Sequence, residues 1–334
     1  MNYSTSPLTR EHNDALLALA HATDTGSDLF VVDRSPDFFR LGESWGESRY
    51  TGLWRGSRLI GCFGVTKQVR FLNGQAEPVF YLHDVRIHPD FTGTRAFQRL
   101  AGHATESLGQ VCRWVFAVVL DSNRHRSPLT RANSLFPEAV PIGRIVHLGV
   151  PLFWPMDGDW RRVTPIDGEE AWSCYERWSA DTAFAYADRD RFLRRDGWFL
   201  GLHDGGKLRA VCKVIDQSSE RRLVVTRMLP LPLRLIHGAC RWRGIAALPG
   251  PGAPFLHAYL AYYASADGED RRRTFFAYLA RFHRQAYPYV FTGVSPQLAE
   301  RYRHPLFIKL RSTAYAYGDV PSGLALGAYE LTLL

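Results

Sequence analysis

The pattern of apolar and polar positions divides the chain into short alternating runs and a few helical ones. Residues 9–23 carry Ala15, Leu16, Leu19 and Ala22 at three- and four-residue spacing, which predicts a helix with one apolar face. Residues 36–41 open a second, short helix. Strands are predicted at 50–54 and 59–65, around the turn Arg55-Gly56-Ser57, and at 68–72 and 79–87, around Asn73-Gly74. Pro89 ends the last of these, and Asp90 to Thr94 read as a polar turn. Residues 95–108 then follow as a helix, with Ala96, Leu100, Ala104 and Leu108 on one face. Residues 114–120 (WVFAVVL) are a continuous apolar strand, and 142–153 supply closing strands.

The second half repeats this plan. A helix is predicted at 168–177, strands at 198–203, 208–215 and 222–228, and an inserted helix at 230–243. A strand at 255–264, a helix at 271–285 and strands at 289–294 and 307–317 complete it. TRAFQRLAGH in the first half parallels RRTFFAYLARFH in the second, and a period of about half the chain implies duplication rather than a solenoid. The segment 155–159 (PMDGD) reads as a linker.

Composition narrows the class. The chain has 334 residues, 46% hydrophobic and 22% charged, which is globular and long enough for two domains. No apolar run is long enough to span a membrane, and residues 1–14 lack the apolar core of a secretory signal. Five scattered cysteines without C-x-x-C spacing fit a reduced, cytoplasmic setting and neither a disulfide framework nor a zinc site. The histidines have no ligand spacing, so no metal is expected. A net charge of +8 suggests an acidic partner; the densest basic runs are 124–131, 189–195 and 271–273. A phosphorylated small molecule and an acidic protein both qualify, whereas nucleic acid would rest on charge alone. Aromatic clusters at 255–264 and 153–156 suit either a core or an apolar channel between the halves.

A strand, a tight Gly turn and a helix N-terminus in succession make an anion site, because free N–H groups and the helix dipole meet there. The stretch 79–101 (VFYLHDVRIHPDFTGTRAFQRLA) resembles the core motif of the GNAT superfamily of N-acetyltransferases, through Val85-x-Ile87-x-Pro89, Phe91 and Gly93. It departs from that motif at Thr92, Arg95 and Phe97, where the family has Arg/Gln, Gly and Gly/Ala. The corresponding positions of the second half are Arg271, Thr274 and Phe276, and its motif glycines are gone.

The resemblance implies an α/β (α+β) chain of two tandem GNAT-like domains, 1–155 and 160–334, each a mixed, mostly antiparallel twisted sheet flanked by helices. It implies an N-acyltransferase that moves an acyl group from acetyl-CoA, a longer acyl-CoA or an acyl carrier protein to a small-molecule amine. The alternative is a non-catalytic GNAT-fold protein that has lost CoA binding. Cofactor contacts are expected from Val85, Ile87, Thr92, Gly93, Thr94, Arg95, Ala96, Phe97 and Asn123, the backbone N–H groups of Val85 and Ile87 polarising the thioester carbonyl. The core strand has no Glu, so His83 is the expected base, on one face with Val85 and Ile87, and Tyr81 stands nearby as candidate acid. Asp84 is expected on the opposite face, ion-paired with Arg86.

Overall fold

In a computed structural model the chain forms one long mixed sheet flanked by helices. The residues described are 3–23, 30–123, 139–226, 231–242, 245 and 249–330; the basic run at 124–131 lies outside them. In the first half, strands β1 (Ser4–Leu8), β2 (Phe30–Asp33), β3 (Glu47–Arg55), β4 (Arg58–Leu72), β5 (Gln75–Ile87), β6 (Trp114–Leu120) and β7 (Val140–Pro151) follow in order. In the second come β8 (Val163–Pro165), β9 (Trp198–Asp204), β10 (Lys207–Asp216), β11 (Arg222–Val225), β12 (Pro254–Phe255), β13 (His257–Ser265), β14 (Tyr289–Val294) and β15 (Ile308–Gly318). The twelve-stranded sheet runs β1-β3-β4-β5-β6-β15-β7-β14-β13-β10-β9-β8.

Sequence patterns account for much of this. Asn73 and Gly74, at φ 51° and 78°, close the β4–β5 hairpin. β4 is a single strand through both runs predicted at 59–65 and 68–72, because β3 and β5 pair along it. The helix Ala96–Gly109 buries Ala96, Leu100, Ala101 and Ala104 on the expected face, against Leu53, Ile60, Leu82 and Phe91. Strand β1 carries no strong apolar pattern and is held by β3, while β2 is an apolar Phe-Val-Val run too short to stand alone and is held by β11.

The two halves exchange closing strands. β15, the last strand of the chain, lies between β6 and β7 and pairs antiparallel with both. β7 in turn pairs with β14 of the second half. The small sheet β12-β11-β2 ties the halves a second time, with Arg222 ion-paired to Asp33 at 2.5 Å. At the exchange His147 of β7 is buried, its ring nitrogens 3.3 Å from the Tyr259 hydroxyl and 3.1 Å from the Ser312 hydroxyl.

Candidate functional site

The core strand β5 breaks its own alternation. Gly64 of β4 faces His83, yet Cys62 faces Arg86, so Phe63 opposes both Asp84 and Val85. Asp84 is the bulge residue, at φ 49°, a left-handed conformation that Asp tolerates better than most residues. The bulge corrects the expected facing. Leu82, Val85 and Ile87 pack on the side of the helix Ala96–Gly109. His83 and Asp84 share the other side, and Arg86 joins them there through its ion pair with Asp84 at 3.1 Å.

Asp84 is a buried hub. Its carboxylate meets Arg34 at 3.0 Å and His83 Nδ1 at 3.0 Å as well as Arg86. Burial pushes its pKa up, but Arg34, His83 and Arg86 together hold it well below the usual carboxylate range. Arg34 comes from the loop after β2 and also donates to the Phe38 carbonyl. Nothing in the local sequence marks Arg34 as Asp84's partner, because the two are fifty residues apart.

His83 is enclosed by rings. Trp45, Tyr50 and Tyr81 lie with centroids 5.1, 5.4 and 5.2 Å from it, Tyr81 stacked upon it. Burial lowers its pKa despite the hydrogen bond to Asp84, so the ring is neutral at pH 7. A carboxylate only accepts, so Nδ1 carries the proton and Nε2 is left to accept from the Thr66 hydroxyl at 2.7 Å. Thr66 Oγ1 lies 2.6 Å from Ser48 Oγ. The result is a chain of hydrogen bonds, Ser48–Thr66–His83–Asp84, from a half-buried hydroxyl to a buried carboxylate. Tyr81 is buried, and its pKa is raised by burial.

On the other edge of β5 a gap opens. β5 and β6 are parallel and pair at a single position, Tyr81 with Phe116. Beyond it β5 stays with β4, while β6 stays with β15 as far as Leu120 and Ser312. The His88 N–H bonds to Ile60 of β4, so by strand alternation the backbone groups of Ile87 and Val85 face the opened edge.

At the end of the gap the turn is exposed at Thr92, Gly93, Thr94 and Arg95. Gly93 has φ 78°, and no atom lies within 4 Å of where its Cβ would be. The Ala96 N–H is capped by Thr94 Oγ1 at 3.2 Å. Arg95 is the helix N-cap and makes no side-chain cap. Phe97 packs with Val85 and Ile87 against the core, which places its ring beside the strand. Asn123 closes the turn after β6, its N–H donating to Leu120 at 3.0 Å.

The second half carries the same device. Lys213 faces Ala261 and Val211 faces Ala264, so β13 has a bulge, at Tyr262 with φ 51°. β13 and β14 pair in parallel from His257–Tyr289 to Tyr259–Phe291 and then part. The chemistry differs, since Ala261 stands where the first half has His83 and Tyr262 where it has Asp84.

Among the described residues no group of His, Cys, Asp and Glu has the arrangement of a metal site, and no helix is long and apolar enough to cross a membrane.

No family model matches the sequence, and no curated protein does. Solved structures do match. A GCN5-related N-acetyltransferase from Anabaena variabilis aligns with 94% of this chain and 72% of its own, at TM-score 0.54 and 10% identity. Saccharomyces cerevisiae N-myristoyltransferase with bound myristoyl-CoA aligns with 99% of this chain and 82% of its own, at TM-score 0.60 and 9% identity. A conserved protein of unknown function from Enterococcus faecalis aligns with 100% and 75%, at TM-score 0.52 and 12% identity. At such identities the likeness concerns architecture, and over nearly its whole length this chain has the GNAT fold.

Proposed function

We propose that the chain is a cytoplasmic N-acyltransferase of two tandem units, 1–155 and 160–334, with the acyl donor bound by the first. The donor is acetyl-CoA or a longer acyl-CoA, or an acylated acidic carrier protein, and the acceptor is a small-molecule amine. The observation that carries the reading is the parting of β5 and β6 after Tyr81 and Phe116, beside an exposed Gly turn and helix N-terminus. In this reading the pantetheine arm lies along the parted edge. The Val85 and Ile87 N–H groups donate to the thioester carbonyl. Residues 92–97 and Asn123 hold the rest of the cofactor. As the amine nitrogen bonds to the carbonyl carbon, the C–S bond breaks. The amine proton passes through the Ser48 and Thr66 hydroxyls to His83 Nε2, Tyr81 supplies a proton to the thiolate, and solvent restores both as His83 releases its proton and Tyr81 regains one.

Calorimetric titration with acetyl-CoA, a longer acyl-CoA and CoA tests this. Micromolar binding that Arg95→Ala weakens supports it, and the acyl preference sizes the cleft. Absence of binding to all three by folded protein removes acyl-CoA as donor. One observation favours the alternative of a non-catalytic binding protein: His83 is buried with both ring nitrogens engaged. That reading predicts no binding of CoA or of either acyl-CoA, and no turnover with any amine.

A further inference from the structure

The parted strands of the second half enclose a cavity of about 240 Å³. It lies where the first half would hold its donor, but the segment 327–330 crosses it. Gly327 and Ala328 donate to the Ala183 carbonyl at 3.1 and 2.8 Å, and the Tyr329 carbonyl lies 2.0 Å from where a Cβ on Gly293 would stand. The Tyr263 N–H, which follows the bulge, donates to Glu330 Oε2 at 3.4 Å. In the first half Val85 holds that position and faces the open edge. A carboxylate of the chain itself therefore meets the backbone group that, in the other half, is left for a ligand.

The remaining space is walled by aromatic rings, among them Tyr175, Trp178, Tyr186 and Tyr262, and by three ionisable groups, Arg70, Arg272 and Glu330. Arg70 lies over the Tyr186 ring at 4.7 Å and Arg272 over Tyr263 at 3.9 Å. Glu330 is the one acidic side chain on the wall, and its Oε1 has no hydrogen-bond partner; the nearest Arg272 nitrogen is 3.8 Å away. Arg272 is ion-paired to Asp270 at 2.8 Å and Arg70 donates to Gln68 and the Phe184 carbonyl, but the buried Arg272 Nε has no hydrogen-bond partner, so the wall holds one orphan acceptor and one orphan donor. A ligand bearing both charges satisfies both. At about 240 Å³ the cavity admits a molecule the size of an amino acid.

Arg70 of β4 is the first-half residue on the cavity wall, and its partner on β5 is Glu77, eight residues or roughly 27 Å along the strand from Val85 at ~3.4 Å each. A molecule of that size in the cavity cannot reach a thioester held by the first half. The cavity is a separate site, whatever the first half does.

We propose that it binds a free α-amino acid with an aromatic or bulky apolar side chain, the ammonium set against Glu330 and the carboxylate against Arg70 and Arg272.

The test titrates the full chain, by calorimetry at pH 8, with L-phenylalanine, phenethylamine and 3-phenylpropionate. L-phenylalanine is expected to bind at least about tenfold more tightly than either singly charged analogue. Glu330→Gln is expected to weaken L-phenylalanine about tenfold and to tighten 3-phenylpropionate, which no longer meets a like charge. Equal affinity for all three, preference for an analogue, or no binding of L-phenylalanine at millimolar concentration overturns the proposal. The three-ligand comparison needs no variant, so it decides even where Glu330→Gln does not fold. Acetyl-CoA titrated in parallel keeps the two sites apart, since its binding or failure to bind says nothing about the cavity.

Discussion

Asp84 and Tyr262 occupy the same point of the two halves: each is the left-handed residue of a bulge on the strand that then parts from its parallel neighbour. The backbone device is kept twice, but only Asp84 is charged and only it is bound to Arg34, Arg86 and His83. The halves share a geometry and divide the chemistry.

Asp84→Ala strands Arg34 as a buried cation and places Ala at positive φ. Breaking one side of a buried pair costs about 3–5 kcal/mol, and the left-handed backbone adds about 1 kcal/mol. Urea unfolding is the measurement. A loss below about 1 kcal/mol shows that Arg34 finds water or another partner.

His83→Ala is expected to lower turnover about 10²-fold while donor affinity stays nearly constant. An unchanged rate removes His83 from the mechanism. Thr66→Val, which cuts the hydrogen-bond chain next to it, is expected to lower turnover in the same direction; an unaffected rate shows that protons leave by another route.

Gly93→Ala meets no atom, so its effect is torsional. It is expected to cost about 1 kcal/mol of stability and to weaken acyl-CoA binding by reshaping the turn. Arg95→Ala is expected to weaken the same binding without loss of stability, because Arg95 is exposed. Tighter binding by Arg95→Ala identifies the side chain as an obstruction.

Stability is expected to fall in mild acid. Burial lowers the pKa of His147 to about 3 and that of His257 to about 4, while in the unfolded chain both sit near 6.5. Between pH 6.5 and 4 the unfolded state therefore binds up to two more protons at these sites, and stability drops as pH falls. Glu330 opposes this. Burial raises its pKa to about 7, so the native state holds an extra proton between pH 7 and about 4.5. These three groups alone give a net of one proton, roughly 1.4 kcal/mol per pH unit from 6.5 to 4.5, and His83 and His283, whose pKa values burial also lowers, add in the same direction. Glu330→Gln removes the opposing site and is expected to steepen the slope by roughly 1.4 kcal/mol per pH unit. Denaturant unfolding from pH 7 to 4.5 measures it, and an unsteepened slope in the variant places Glu330's titration outside this range.

The sequence by itself determined the local elements and the family of folds. Asn73-Gly74, Pro89 and the four-residue spacing from Ala96 to Ala104 act over a few residues, so they are legible without any fold. The motif from Val85 to Gly93 pointed to the strand, turn and helix that the structure contains. Tertiary structure decided the rest. The facing of His83 depended on one bulge, and a strand's alternation carries no mark of where it slips by a residue. Arg34, Thr66 and Ser48 reach His83 and Asp84 from three separate elements, so no spacing could announce them. The insertion of β15 between β6 and β7 was equally hidden, because pairing between strands nearly two hundred residues apart is set by which edge remains open once all the other strands have been placed.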